Sequence, residues 1–274
     1  MSSYTQAPPG YAPSKHHKGQ YQSIPQDDDE AGPSAPLLNT GPREEGDIDT
    51  DDFKFSVTVE QSAPEIRQMF LKKVYAVLFL QILGTTVASY LFSTRTVTTW
   101  VQHNQWSVIV ALIGSFVSMG VLFWKRHSHP LNLGLLALFT VIESFSLGLV
   151  ASHVSKRILL QALVITLFTF AGLTFFTFQS KRDFSGMGPW LYGGLMLLVG
   201  LSFIQIFFPF RRSIDMAFAA GGCLIFSGYI VYDTHMILKR LSPEEWVMAV
   251  LSLYLDIINL FLSVVRILNG ANRD

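Results

Sequence analysis

The chain has 274 residues, half of them hydrophobic and only 15% charged, with 22 Phe and a single cysteine. Soluble domains carry roughly 25% charged residues, so this composition points to a polytopic membrane protein. The lone Cys223 excludes an internal disulfide framework. The zero net charge hides an asymmetry: residues 1–73 hold 12 of the 20 acids but only 7 of the 20 Lys and Arg.

Residues 1–63 form the first expected unit, a disordered, acidic, Pro-rich cytosolic tail, because residues 1 to about 52 are rich in Pro, Ser, Gly and acids and have no apolar periodicity to bury. The first apolar run begins past residue 70, so no signal peptide is expected. Two short motifs lie in the tail. Pro8-Pro9-Gly10-Tyr11 is a PPxY sequence, which adopts polyproline II to dock on a WW domain, here of a ubiquitin ligase with Lys15 and Lys18 nearby. Tyr21-Gln22-Ser23-Ile24 fits the Tyr-x-x-apolar pattern read by vesicle-coat adaptors.

Residues 64–274 form the second expected unit, an all-α bundle of seven transmembrane helices. Pro64 starts a helix that runs into the first span. The spans predicted are Val74–Phe92, Ser107–Trp124, Leu131–Val150, Ile158–Phe178, Trp190–Phe208, Met216–Leu238 and Trp246–Leu268, each long enough to cross about 30 Å of hydrocarbon. Short connectors force neighbours to pack antiparallel in a compact bundle. Ser242-Pro243-Glu244-Glu245 reads as a capping box with Pro at the first helical position, which fixes where the last span starts. Counting Lys and Arg in short loops gives nine on the tail side against six on the other, which predicts a cytosolic N-terminus.

Only Glu143, Asp233 and Asp256 put acids well inside apolar runs. An ionised carboxylate in the bilayer core is costly, so each needs a partner or water. On a helical wheel Ser252, Asp256, Asn259 and Ser263 fall within about 60° of one another, one polar stripe on an otherwise apolar helix. Gly222 and Gly228 beside Asp233 allow close helix approach. Glu143 has Thr140 and Ser146 near it, and Arg126 has a stem long enough to turn inward toward a carboxylate. Two carboxyl groups on consecutive spans cannot both ionise cheaply when they meet, so they titrate as a pair. Such an acidic constriction is a weak, transient site for calcium, which prefers oxygen ligands.

The segments IRQMFLKKVYAVLFLQ, FWKR, ESFSLG, YIVYDTHMI and LSLYLDIINLF resemble the transmembrane Bax inhibitor motif family, and the long tail is similar to that of its Lifeguard branch. The likeness covers roughly residues 64–268. It implies a seven-helix bundle with the last helix central, acting as a pH-sensitive calcium leak channel of intracellular membranes that suppresses cell death. It also implies that Asp233 and Asp256 form a proton-sensing pair, that Arg126 engages this pair to help close the path, and that Glu143 is a recurring acidic position. Bacterial relatives carry an acid where this chain has Ser115. The expected partners are membrane lipid, permeant calcium, cell-death regulators and the WW-domain ligase, with no cofactor and no nucleic acid. The expected membrane is the endoplasmic reticulum, with Golgi and vacuole or lysosome as alternatives.

Two rival readings stay open. One is a non-conducting membrane adaptor that regulates apoptosis or stress signalling through its partners. The other is an intramembrane aspartyl protease, suggested by Tyr232-Asp233 and Asp256 on consecutive spans. Leu253-Tyr254-Leu255-Asp256 stands where such proteases carry Gly-x-Gly-Asp, so the reading preferred is non-enzymatic.

Overall fold

A computed structural model of the chain describes residues 58–272. Both tail motifs, with Pro8, Pro9 and Tyr11, lie outside the described residues. Eight α-helices and two single 3-10 turns make up the described part, and no strand occurs among the described residues. The helices are α1 Pro64–Phe92, α2 Arg95–His103, α3 Trp106–Trp124, α4 Leu131–Ser152, α5 Lys156–Gln179, α6 Gly188–Phe207, α7 Arg212–Lys239 and α8 Trp246–Ala271. All except α2 are long and apolar enough to cross a membrane, so the chain is a multi-pass membrane protein with seven candidate spans. Six expected spans fall wholly inside these helices, and the fifth overruns α6 by one residue, Phe208.

The sequence reading has no counterpart for α2. Its stretch RTVTTWVQH is rich in β-branched residues and has no apolar run, so neither propensity nor hydropathy marks it. Its Trp100 stacks edge-on against Trp106 at the start of α3, with ring centroids 6.1 Å apart. Paired Trp rings suit the membrane–water boundary, where one end is apolar and the other wet.

The last helix is central. Of the most apolar window in α8, 61% is buried, against at most 28% in any other span. It packs most extensively on α7, then on α5 and α1, while α1 also pairs with α4 and α4 with α3. Other spans turn large side chains outward, among them Phe79, Trp124, Phe168, Trp190 and Leu224; these face lipid. At the middle of the core the fully buried Tyr254 meets Phe139 edge-on at 6.1 Å and shares a 2.8 Å hydrogen bond with Thr85 of α1.

One end of the bundle carries the start of α1 and the α3–α4, α5–α6 and α7–α8 turns; call it the tail-side end. There the chain is packed from Thr58 onward, ahead of the boundary expected at residue 63. Val59 is fully buried, its N–H donates to the Leu241 carbonyl at 2.9 Å, and Glu60 pairs with Lys239. Lys73 sits 3.9 Å over the Trp246 ring. The capping box at Ser242 is present, with the Glu245 carboxylate accepting from the Ser242 N–H, and its reciprocal bonds fix the turn from which α8 starts.

Candidate functional site: a buried carboxyl pair between the last two spans

The short α7–α8 turn makes these helices antiparallel neighbours, which brings positions before the turn alongside positions after it. Asp233 stands about 9 Å along the axis from the end of α7 at Lys239, and Asp256 about 15 Å from the start of α8 at Trp246. Small residues let the helices close: a Cβ on Gly222 would come within 2.6 Å of the Ser263 hydroxyl of α8, and one on Gly228 within 2.7 Å of Leu191 of α6. The carboxyl groups of Asp233 and Asp256 lie in hydrogen-bonding contact with each other, and Ser252 in contact with Asp233. Asp256 is only 6% exposed, and its Oδ2 has no partner among the described residues. Two carboxylates accept but cannot donate, so contact between them requires a shared proton.

The polar stripe of α8 continues from this pair into a cavity of about 870 Å³ lined by Asn259, Ser263 and Arg266 of α8, Asp215 of α7 and Gln205 of α6. Arg266 Nε lies 3.4 Å from Asp215 Oδ1, its Nη2 donates to Gln205 Oε1 at 3.2 Å, and Gln205 Nε2 donates to Asp215 at 3.0 Å. The guanidinium also covers the Phe218 ring at 4.9 Å. Sequence reasoning ended the stripe at Ser263, yet Arg266 is three residues further on the same face. That spacing was the available signal.

Two expected site residues are not brought to the pair. The Arg126 guanidinium lies 3.6 Å from Glu245 Oε1, and its Nε donates to His127. Glu245 precedes Asp256 by a distance along the helix of roughly 16 Å, more than an arginine stem bridges from that level. Glu143 on α4 instead accepts from Ser115 of α3, on the side of Tyr254 that carries Thr85. It belongs to a second polar cluster, and it does not line the cavity.

A further contact escaped sequence reading altogether. His235 of α7, nearly buried, places Nε2 2.9 Å from Asp183 Oδ1 in the α5–α6 connection, with Phe184 edge-on to its ring at 5.6 Å. Hydrogen bonds from Ser185, backbone first, together with the neighbouring His235 hold the Asp183 carboxyl down at about 2. Nothing in the sequence links residues 52 positions apart at a loop, so this pair was invisible there.

Among the described residues no group of three or more His, Cys, Asp or Glu side chains gathers as a metal cage. Asp233, Asp256 and Ser252 offer only oxygen atoms, the ligand type that calcium takes. The sequence matches known proteins over most of its length. Residues 67–274 match the family described as inhibitor of apoptosis-promoting Bax1. The chain belongs to that family. Within it, this Bax inhibitor family protein is 42% identical over 224 residues to protein lifeguard 4 of Mus musculus, covering 81% of this chain and 94% of that one. It is 42% identical over 257 residues to Bax inhibitor 1 of Schizosaccharomyces pombe, covering 90% and 95%. The Golgi anti-apoptotic protein of Vaccinia virus strain Lister is 39% identical over 224 residues, covering 81% and 94%.

Proposed function

We propose that this protein is a pH-sensitive passive calcium leak channel of endomembranes and that it restrains cell death by limiting stored calcium. The observation that carries the reading is the direct contact of the Asp233 and Asp256 carboxyl groups inside the bundle. With one proton between them the pair carries one negative charge. Losing that proton doubles the charge in a low-dielectric site and raises its attraction for a divalent cation. Asn259 and Ser263 continue the polar face from the pair into the cavity, so a cation that loses water at the carboxyls meets oxygen ligands on the way. Arg126, now on Glu245, closes this path only by changing partner and moving along α8. The names of the relatives, Bax inhibitor 1 and Golgi anti-apoptotic protein, support the cell-death role, and the second supports an endomembrane; the endoplasmic reticulum as that membrane is part of the proposal. Engagement of the tail by a WW-domain ligase belongs to the same proposal.

The test is calcium efflux from liposomes holding the purified protein, across pH. Wild type should show a pH step. Asp233→Asn and Asp256→Asn should each abolish it, and the double variant should resemble either single one, because members of one unit are non-additive. A wild-type step surviving in both single variants defeats the shared-proton mechanism. Efflux absent from wild type at every pH defeats the leak itself and favours the adaptor role.

A further inference from the structure

A second concavity lies away from the carboxyl pair, on the side of α8 that faces α1 and α5. These two helices each pack on α8 but touch one another little. The gap between them is a cleft of about 480 Å³ whose floor is Ile257, Ile258 and Phe261 of α8. Its walls are mostly apolar, from Ile82 of α1 and Leu159, Leu163 and Leu167 of α5. Leu160 and Leu167 are exposed, so the cleft opens sideways toward lipid. The volume suits a guest of the size that ligand pockets hold, roughly 300–1,000 Å³.

The chemistry changes at the end away from the tail. Tyr90 from the last turn of α1, Ser93 just past its end, Ser152 from the end of α4 and Lys156 from the start of α5 form the rim. The Ser93 and Ser152 hydroxyls already donate to the Tyr90 and Leu149 carbonyls, and Ser152 Oγ also lies 3.0 Å from His153 Nδ1, so each keeps at least one lone pair for a guest's donor. Lys156 offers three donors and a charge. No acidic residue lines the cleft, and Lys156 makes no ion pair among the described residues. A lysine at this depth extends its ammonium to the headgroup level while its stem stays on apolar surface.

We propose that this cleft is a binding site for a phospholipid whose headgroup is anionic and carries hydroxyls. One acyl chain lies between α1 and α5 on the floor of α8, the phosphate meets Lys156, and headgroup hydroxyls donate to Ser93 and Ser152. Lipid over a convex helix face has no fixed counter-charge and no walls. This position has both, and its floor includes Ile257, the neighbour of Asp256. The lipid therefore touches the central helix at the level of the carboxyl pair.

The experiment is native mass spectrometry of the purified full-length protein with phosphatidylglycerol or phosphatidylcholine of matched acyl chains. One lysine near a surface charge is worth about fivefold in affinity, so wild type should hold phosphatidylglycerol about fivefold more tightly. Lys156→Ala, an exposed position that leaves packing intact, should bring the ratio to about one. Arg157→Ala, next in sequence but outside the cleft lining, should leave the preference unchanged. Leu163→Trp should fill the cleft and strip the retained copy of either lipid. Equal retention of the two lipids by wild type, a preference that survives Lys156→Ala, or adducts unaffected by Leu163→Trp would each overturn the site. Calcium efflux is not read in any arm, so the outcome does not depend on whether the protein conducts.

Discussion

At Gly148 there is no room for a side chain. A Cβ there would sit 2.5 Å from Phe92 Cβ and 2.8 Å from the Ser89 carbonyl oxygen, so α1 and α4 approach backbone to backbone. Ser89 uses that closeness, donating its hydroxyl to the Ser144 carbonyl at 3.0 Å. Gly148→Ala should therefore force the helices apart and lower stability by about 1–3 kcal/mol, the usual cost of overpacking. Gly134→Ala on the same helix, with open space around it, should be neutral or slightly stabilising, and thermal melting in detergent compares the two. Asp183 makes a different kind of residue-scale claim. Its carboxyl is held down at about 2, chiefly by the Ser185 N–H and hydroxyl and then by His235. A folded value below the unfolded one gives stabilisation that is full above the ordinary carboxylate range and disappears as pH falls through about 2. Wild type should then melt higher than Asp183→Ala at pH 5 and above, with the gap narrowing below pH 4. A gap independent of pH would show that the side chain acts by packing alone.

At the scale of elements, the α7–α8 hairpin is held from outside by the segment Thr58–Ser62. Val59 is fully buried and hydrogen-bonds Leu241 through its backbone, whereas the Glu60–Lys239 pair is largely exposed. Burial should dominate, because exposed ion pairs are worth little. Val59→Ala, losing two methyl groups' worth of burial, should cost roughly 1.5 kcal/mol and speed hydrogen exchange at the Leu241 turn, whereas Glu60→Ala should change neither. An equal effect of both would put the ion pair on a par with the buried valine. The docking of this segment was not legible in the sequence: Phe53, Phe55, Val57 and Val59 alternate with polar residues, but that period names no partner, and Leu241 lies about 180 positions away. The spans were legible, because long apolar runs between basic pairs admit few alternatives in a bilayer. The candidate site was legible in part. Asp233 and Asp256 stood out because acids are rare in apolar runs, and the capping box fixed the hairpin that joins them. The Arg126 partner could not be read, because loop geometry decides whether a long side chain turns to Glu245 or inward. Glu143 was recognised as unusual, but its pairing with Ser115 depends on how α3 lies on α4.

For the whole molecule, the structure turns a loop count into a statement about faces. Thr58 lies at the same end as the turns that carry Lys125-Arg126, Lys181-Arg182 and Lys239-Arg240. Lys156-Arg157 and Arg211-Arg212 stand at the other end, where Asp215 and Arg266 occupy the cavity. Basic residues in short loops stay on the cytosolic side, so the end with the larger share, and the tail with it, should face the cytosol. Protease added to sealed endomembrane vesicles, cytosolic face out, should therefore remove the tail and stop near Thr58. Beyond that point Val59 is buried and the chain enters α1. Because cleavage requires local opening, the protected fragment should begin within a few residues of Thr58 in wild type. It should begin nearer Pro64 in Val59→Ala, where the docked segment opens more often. Mass spectrometry of the fragment's N-terminus reads both results. A tail that survives in sealed vesicles and is cut only after they are opened would invert the orientation. It would put the PPxY motif out of reach of any cytosolic ligase and the carboxyl pair nearer the lumenal face, where the proposed proton exchange would follow the lumenal pH.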